Sequence, residues 1–458
     1  MSTVAEADLA ALFHPYTNLV KHPETGPMVI TRGQGVRVYD EAGKEYIEGL
    51  AGLWCTTLGW GEERLAEVAA AQMRELPFYH LFSSKAHTPG VRLAEALKAL
   101  APVSDSKVFL ACSGSEANDT AIKMIWYRNN ALGRPQKKKI ISRERAYHGV
   151  TVATGSLTGL PVNQRGFDLP IERILHTGCP HYWRYGEKGE SEEQFATRRA
   201  EELEKLILAE GPDTVAAFFA EPVMGAGGVI VPPKGYFEKI QAVLKKYDVL
   251  LVADEVITGF GRTGNMFGCD TFGIRPDMMT VAKALSSGYL PISALIVSGE
   301  VFEPIKAQSG EIGSFGHGLT YGGHPVPAAV ALETLKIYAE RDIVGHVRKV
   351  APVLQDGLRA LQQHPLVGEA RGLGLIGALE LVADKDTKTA FDPKLAVGAR
   401  VVAKAQAHGV ILRAMGDAVA FAPPLVIEAD DIRLLLERFR LALDEAHGEL
   451  VAAGAVSH

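Results

Sequence analysis

Between residues 107 and 297 the chain alternates short apolar runs with amphipathic stretches of helical period, and that alternation leaves few folds open. The runs at 107–112, 139–142, 215–220, 249–253, 278–282 and 293–297 have the length and unbroken apolar character of strands buried on both faces. Helical segments lie between several of them, among them 116–128 and 236–247. Such alternation predicts an α/β fold, a mostly parallel sheet covered by helices on both sides. Ligands of these folds bind outside the carboxyl ends of the strands. Two ionisable residues stand at such ends: Asp254 closes the run that begins at Val249, and Lys283 closes the run that begins at Met278.

An acid and an amine so placed are what pyridoxal phosphate requires, a counter-charge for its pyridine nitrogen and a nucleophile for its aldehyde. Other segments near predicted strand ends suit the same ligand. Cys112-Ser113-Gly114-Ser115-Glu116 follows a strand and opens a helix, where glycine permits close approach and free N–H groups of the first turn bind an anion. Taken alone, it reads more readily as an ordinary serine-capped helix. Tyr147, after the run at 139–142, has a ring that can lie on a cofactor, though a lone tyrosine there is more often core. His148 reads as a hydrogen-bonded histidine without a catalytic role. Glu221 closes the run at 215–220 and reads as a site carboxylate or as a solvated loop residue.

Several features argue against other functions. Gly259–Gly264 and Gly372–Gly377 both spell G-x-G-x-x-G, but neither follows a strand and opens a helix as a dinucleotide site must. His176, Cys179 and His181 match no zinc spacing and read as structural loop, so no metal ligands are assigned. Gln136-Lys137-Lys138-Lys139 reads as a solvated basic face before a strand. The net charge of −6 gives no footprint for nucleic acid or an anionic membrane, and no apolar run reaches membrane-spanning length. The cysteines at 55, 112, 179 and 269 form no CxxC pair, and the first residues lack the basic and apolar regions of a signal peptide. The expectation is a soluble cytoplasmic protein.

The flanks differ from the middle. Residues 1–60 read as an extension with a hairpin, 35–39 and 44–47, and a glycine-rich apolar stretch at 49–54. A helix is expected at 62–76. Beyond Pro325 come a helix at 326–340, strands near 375–381 and 419–421, and a last core-packed helix from Asp430 carrying Ile432, Leu435, Leu436, Phe439 and Leu443.

Together these segments resemble the class III pyridoxal-phosphate aminotransferases of fold type I, over nearly the whole chain. The sharpest part is Leu250-Leu251-Val252-Ala253-Asp254-Glu255-Val256 with Gly259, Gly261, Asp277, Ala282-Lys283 and Gly288. Gly52-Leu53-Trp54-Cys55, Leu76-Pro77-Phe78-Tyr79-His80, Gly114-Ser115-Glu116, Tyr147-His148-Gly149, Thr320 and Ile411-Leu412-Arg413 resemble the ω-transaminase, or amine:pyruvate, subgroup. The resemblance implies a large cofactor domain at 61–325 and a small α+β domain built from both termini, 1–60 and 326–458. It implies that Lys283 bonds to the cofactor aldehyde and shuttles the proton, and that Asp254 pairs with the pyridine nitrogen, with Glu221 near. Val256 and Tyr147 would flank the ring, and Gly114 and Ser115 would hold the phosphate. Thr320 would reach the phosphate from the second subunit of a homodimer with shared active sites. Tyr16, Trp54, Tyr147 and Arg413 would shape the substrate pocket, joined by Phe82 from the partner subunit. The implied reaction is ping-pong transfer of an amino group from an amine or ω-amino acid to a keto acid such as pyruvate. Arg413, followed by a glycine-containing loop, is expected to swing in for the keto acid and out for bulky amines. An aminomutase or decarboxylase of the same fold is the alternative.

Overall fold

A computed structural model describes residues 3–456. Its centre is a seven-stranded sheet in the order Lys107–Ala111, Ser293–Val297, Met278–Val281, Leu250–Asp254, Val215–Ala220, Lys139–Arg143, Ile174–Thr177. Only Ser293–Val297 runs antiparallel to its neighbours. The three central strands, Val215–Ala220, Leu250–Asp254 and Met278–Val281, are buried at every residue. Alternate side chains feed two cores. Phe218, Leu251 and Met279 pack on one side with Phe237, Ile240 and Leu244 of the helix Tyr236–Lys246. Phe219, Val252 and Met278 pack on the other with Ala117, Ala121 and Ile125 of the helix Gly114–Ala131. Burial on both faces is why these strands read as continuous apolar runs.

The register fixes the centre of the molecule. Val252 lies opposite Met278 and Asp254 opposite Thr280, so Asp254 ends its strand three residues before Lys283 leaves the neighbouring one. Lys283 itself has a left-handed backbone (φ 48°) at the start of a short 3-10 turn, Lys283–Ser286.

Two smaller sheets flank this core. One joins Ile30–Gln34, Arg37–Asp40 and Glu45–Glu48 to Val410–Ile411, so a strand from late in the chain completes a sheet begun near its start. The other contains Val367–Leu373, Ile376–Leu381, Ala418–Phe421 and Arg413–Met415, with the helices Ile343–Leu361 and Ala429–Ala452 nearby. Among the described residues, no helix is long and apolar enough to cross a membrane.

Some local expectations are corrected. The helix expected at 116–128 starts at Gly114, because Ser113 caps it: the Ser113 hydroxyl accepts from the Glu116 N–H, and the Glu116 carboxylate accepts from the N–H groups of Cys112 and Ser113. The strand Ile174–Thr177 was not anticipated, since its His176 and Thr177 interrupt the apolar pattern; His176 is therefore a strand residue rather than a loop residue. His181 and Tyr182 bound the short helix Tyr182–Tyr185 rather than an open loop. The basic run is not a solvated face. Lys137 is 5% exposed and donates to the carbonyls of Pro212 and Tyr247, while Lys139 pairs with Glu210. The aliphatic stems are covered and the ammonium groups are spent on carbonyl ends. The two glycine motifs have a mechanical explanation: they close on each other. Leu375 N–H donates to the Arg262 carbonyl, the Arg262 guanidinium donates back to the Leu375 carbonyl, and a Cβ at Gly374 would lie 2.4 Å from the Arg262 oxygen.

Candidate active site

A cavity of about 800 Å³ opens at the carboxyl ends of the central strands. Asp254 and Lys283 both line it. The Asp254 carboxylate is 4% exposed and fully engaged from behind. Its Oδ2 accepts from Asn118 Nδ2 and His148 Nδ1, each at 2.8 Å, and its Oδ1 accepts from the Val256 N–H at 3.1 Å. Asn118 is aimed in turn by the Thr280 hydroxyl, which donates to its Oδ1 at 2.8 Å. Thr280 faces Asp254 across the ladder, so the sheet register sets the acid's orientation. Neither Asn118 nor His148 was assigned a site role from sequence. Asn118 was legible in principle, standing three residues after Ser115 and hence on the same face of the helix.

Burial pushes the Lys283 amine below its ordinary range, opposed by the Cys55 thiol, Asp254 and Glu221, which favour its charged form. A neutral amine in this position is able to accept a proton. Glu221 is buried, not solvated: Oε1 accepts from the Tyr147 N–H at 3.0 Å and Oε2 from the Gly225 N–H at 2.9 Å. Burial raises its carboxyl above the usual range, with His148 working against that shift.

The other end of the cavity is shaped for an anion. Gly114 and Ser115 form the first turn of an eighteen-residue helix, where N–H groups have no intrahelical acceptor. Gly149 closes against this turn with φ 135°, and a Cβ there would lie 2.6 Å from the Ser115 hydroxyl. Gly114 is backed by Val256, whose Cγ2 would be 3.1 Å from an added Cβ. A side chain at 149 would collide with Ser115, and one at 114 would crowd Val256, so glycine keeps this turn open. Acid, amine and anion cradle on one cavity fit pyridoxal phosphate.

Tyr16, Trp54, Tyr147 and Arg413 all line the same cavity. The Arg413 guanidinium lies 6.0 Å from the centre of the Tyr16 ring, and the Tyr16 hydroxyl accepts from Asn163 Nδ2. Burial and then Tyr16 raise the Tyr147 phenol above its ordinary range, so Tyr147 stays protonated as a donor. The backbone of Arg413 is held in the strand Arg413–Met415, opposite Ala420. Arg413 thus stands on a strand, with Gly416 in the turn that follows it. Phe82 and Thr320 do not line this cavity. Phe82 lies against Gly318 and is exposed on this chain, as is Thr320.

Trp54 sits on a strained turn. Ala51, Gly52 and Trp54 have φ of 50°, 69° and 67°. The 3%-exposed carboxylate of Glu48 holds it, accepting from the N–H groups of Leu50, at 3.1 Å, and Gly52. Sequence reasoning missed Glu48, which looks like an ordinary polar residue ending a strand.

The Aminotransferase class-III family profile matches residues 20–443. The chain belongs to the class III aminotransferases. An omega transaminase from Pseudomonas jessenii, solved in complex with PMP, superposes with a TM-score of 0.96 at 56% identity, covering 98% of this chain and 99% of that one. Gamma aminobutyrate transaminase 3, chloroplastic, of Solanum lycopersicum is 50% identical over 437 residues, 95% of this chain and 84% of the relative. Probable gamma-aminobutyrate transaminase 3, mitochondrial, of Oryza sativa subsp. indica is 52% identical over 430 residues, 94% of this chain and 84% of the relative. This aminotransferase is pyridoxal-phosphate-dependent and of fold type I, and its reaction is transamination. Nothing in these comparisons supports the aminomutase or decarboxylase alternative.

Burial raises the Glu48 carboxyl to about 7, although the N–H groups of Gly52 and Leu50 and the charge of Arg262 pull it down. A folded-state value above the unfolded one stabilises the protein most below the unfolded value near 4.5, and that increment is lost as pH rises through about 7. Glu48→Gln is expected to flatten this part of the stability–pH curve in denaturant unfolding. Glu48→Ala orphans two N–H groups, at about 1–3 kcal/mol each, and is expected to raise KM for the amino donor by loosening Trp54. A Glu48→Ala enzyme with unaltered stability and KM would contradict this role.

Proposed function

We propose that this aminotransferase moves the amino group of an apolar amine or ω-amino acid to a short keto acid, with pyruvate as the acceptor. The observation that carries the reading is the cavity wall: aromatic Tyr16, Trp54 and Tyr147 face one guanidinium, Arg413. One pocket must accept two substrates in turn, an amine with an apolar body and a keto acid with a carboxylate. The aromatic walls suit the first and Arg413 the second, as a bidentate clamp. The names of the omega and gamma-aminobutyrate transaminases support donors whose amine is remote from any carboxylate.

The cofactor, when bound, supplies an electron sink that makes a proton on the substrate carbon removable. Asp254 supplies the negative charge facing the ring nitrogen, held by Asn118 and His148. Lys283 is the residue that would hold the cofactor covalently, and its buried amine, freed when a donor amine binds, is the base that would take a proton from the substrate carbon and later give it back. Gly114 and Ser115 would hold the phosphate through the helix N-terminus, and Val256 and Tyr147, which line the same cavity, would flank the ring. The keto acid then runs the same steps in reverse, which gives ping-pong kinetics. Truncation separates the two substrates. Arg413→Ala is expected to lower kcat/KM for pyruvate by about 10–100-fold, the worth of a charged hydrogen-bonded pair. For an arylalkylamine the change should stay within about threefold. Equal losses for both substrates, measured in separate half-reactions, would refute the dual-specificity pocket.

The working unit in this reading is a homodimer in which Phe82 and Thr320 serve the partner's cavity. Phe78, Tyr79, Phe82, Ile312 and Tyr321 are exposed on a single chain, an apolar surface of the kind that marks an interface. Co-expression of Lys283→Ala with Thr320→Glu tests it. Each alone is expected to be inactive, and hybrids carry one intact site, so activity should recover toward about one quarter of wild type with random pairing. No recovery would contradict shared sites. The four cysteines are free, in keeping with a reducing compartment, and the cytoplasm is the location proposed.

A further inference from the structure

The first two dozen residues carry a cluster that transamination does not use. His14 Nε2 lies 2.9 Å from both oxygens of Asp8, and His22 Nε2 lies 3.3 Å from Asp8 Oδ2. The two imidazole rings are 4.3 Å apart between centres, inclined at 52°. One donor atom from each residue fits within a group whose members are all within 4.8 Å of one another. Among the described residues, no other set of three His, Cys, Asp or Glu side chains converges this way. Donors bonded at about 2.0–2.1 Å around a tetrahedral ion sit about 3.3 Å apart, close to the spacings here.

We propose that Asp8, His14 and His22 form a divalent transition-metal site, occupied by zinc, with a fourth position left to water. Two imidazoles and one carboxylate favour zinc over magnesium or calcium, which take oxygen donors. The side chains are 14%, 25% and 12% exposed, open enough for an ion to enter without unfolding.

The setting gives the ion a purpose. The helix Val4–Ala11 and the short helix His22–Thr25 contain no buried residue, so one protomer's core does not fix this arm. Between the two histidines lies Tyr16, in a left-handed backbone conformation (φ 50°) and lining the substrate cavity. A metal bridging Asp8, His14 and His22 closes a loop around Tyr16 and ties it to the preceding helix. It acts on the substrate wall by position and takes no part in the chemistry. Restricting a short loop in this way stabilises it chiefly by removing alternative conformations.

The test uses untagged holoenzyme, stripped with a chelator and titrated with Zn²⁺ by calorimetry, with Mg²⁺ as control. One zinc per chain is expected, without a matching magnesium signal. Asp8→Asn and His22→Ala should each weaken that zinc at least about tenfold while leaving the bound-cofactor absorbance in place. Zinc should also slow tryptic cleavage after Lys21, beside the third ligand, in the wild type and not in His22→Ala. Absence of a stoichiometric zinc site, or one unaltered by both substitutions, overturns the proposal.

Discussion

The structure turns on one buried carboxylate. Asp254 ends the strand Leu250–Asp254, 4% exposed, where an unpaired charge would be costly. Asn118, His148 and the Val256 N–H meet it with three hydrogen bonds. Those donors come from the helix Gly114–Ala131, from the segment after Lys139–Arg143 and from the turn after the acid itself. The acid is therefore held in this orientation by the assembled sheet and its covering helix. Its opposite number in the register, Thr280, aims Asn118 and lies three residues before Lys283. The sheet register thus places acid and amine on one cavity.

The substrate side is built differently. Tyr16 and Trp54 come from the first sixty residues and Arg413 from the last fifty, and the strand pair Glu45–Glu48 with Val410–Ile411 brings these ends together. Trp54 is held by a strained turn on Glu48, and Arg413 by pairing with Ala420. Segments that contribute little to the central core are freer to differ in side chain, which suits the part of the molecule that chooses the amine. In the proposed function the buried centre would carry the cofactor, and the ends wrapped around it would carry specificity.

Much of the centre was legible because both-face burial writes itself as unbroken apolar runs, and Asp254 and Lys283 stand out at their ends. The strand Ile174–Thr177 was missed because His176 and Thr177 break that signature at the sheet edge. Lys137 misled for a related reason: three consecutive lysines suggest solvent, yet distant carbonyls of Pro212 and Tyr247 receive one of them. Asn118 and His148 have roles that depend on contacts across long sequence separations, 136 residues between Asn118 and Asp254 and 106 between His148 and Asp254. No local pattern encodes such a contact. Phe82 and Thr320 were singled out only by family resemblance, and a single chain leaves both outside its own cavity.

The proposed chemistry requires Lys283 to be the amine that holds the cofactor. Borohydride reduction of the holoenzyme fixes the cofactor to whichever amine holds it, and peptide mass mapping reads the position. A phosphopyridoxyl label is expected on the peptide containing Ala282-Lys283-Ala284, one per chain. A label on any other lysine, or none on a holoenzyme that turns over, would contradict it.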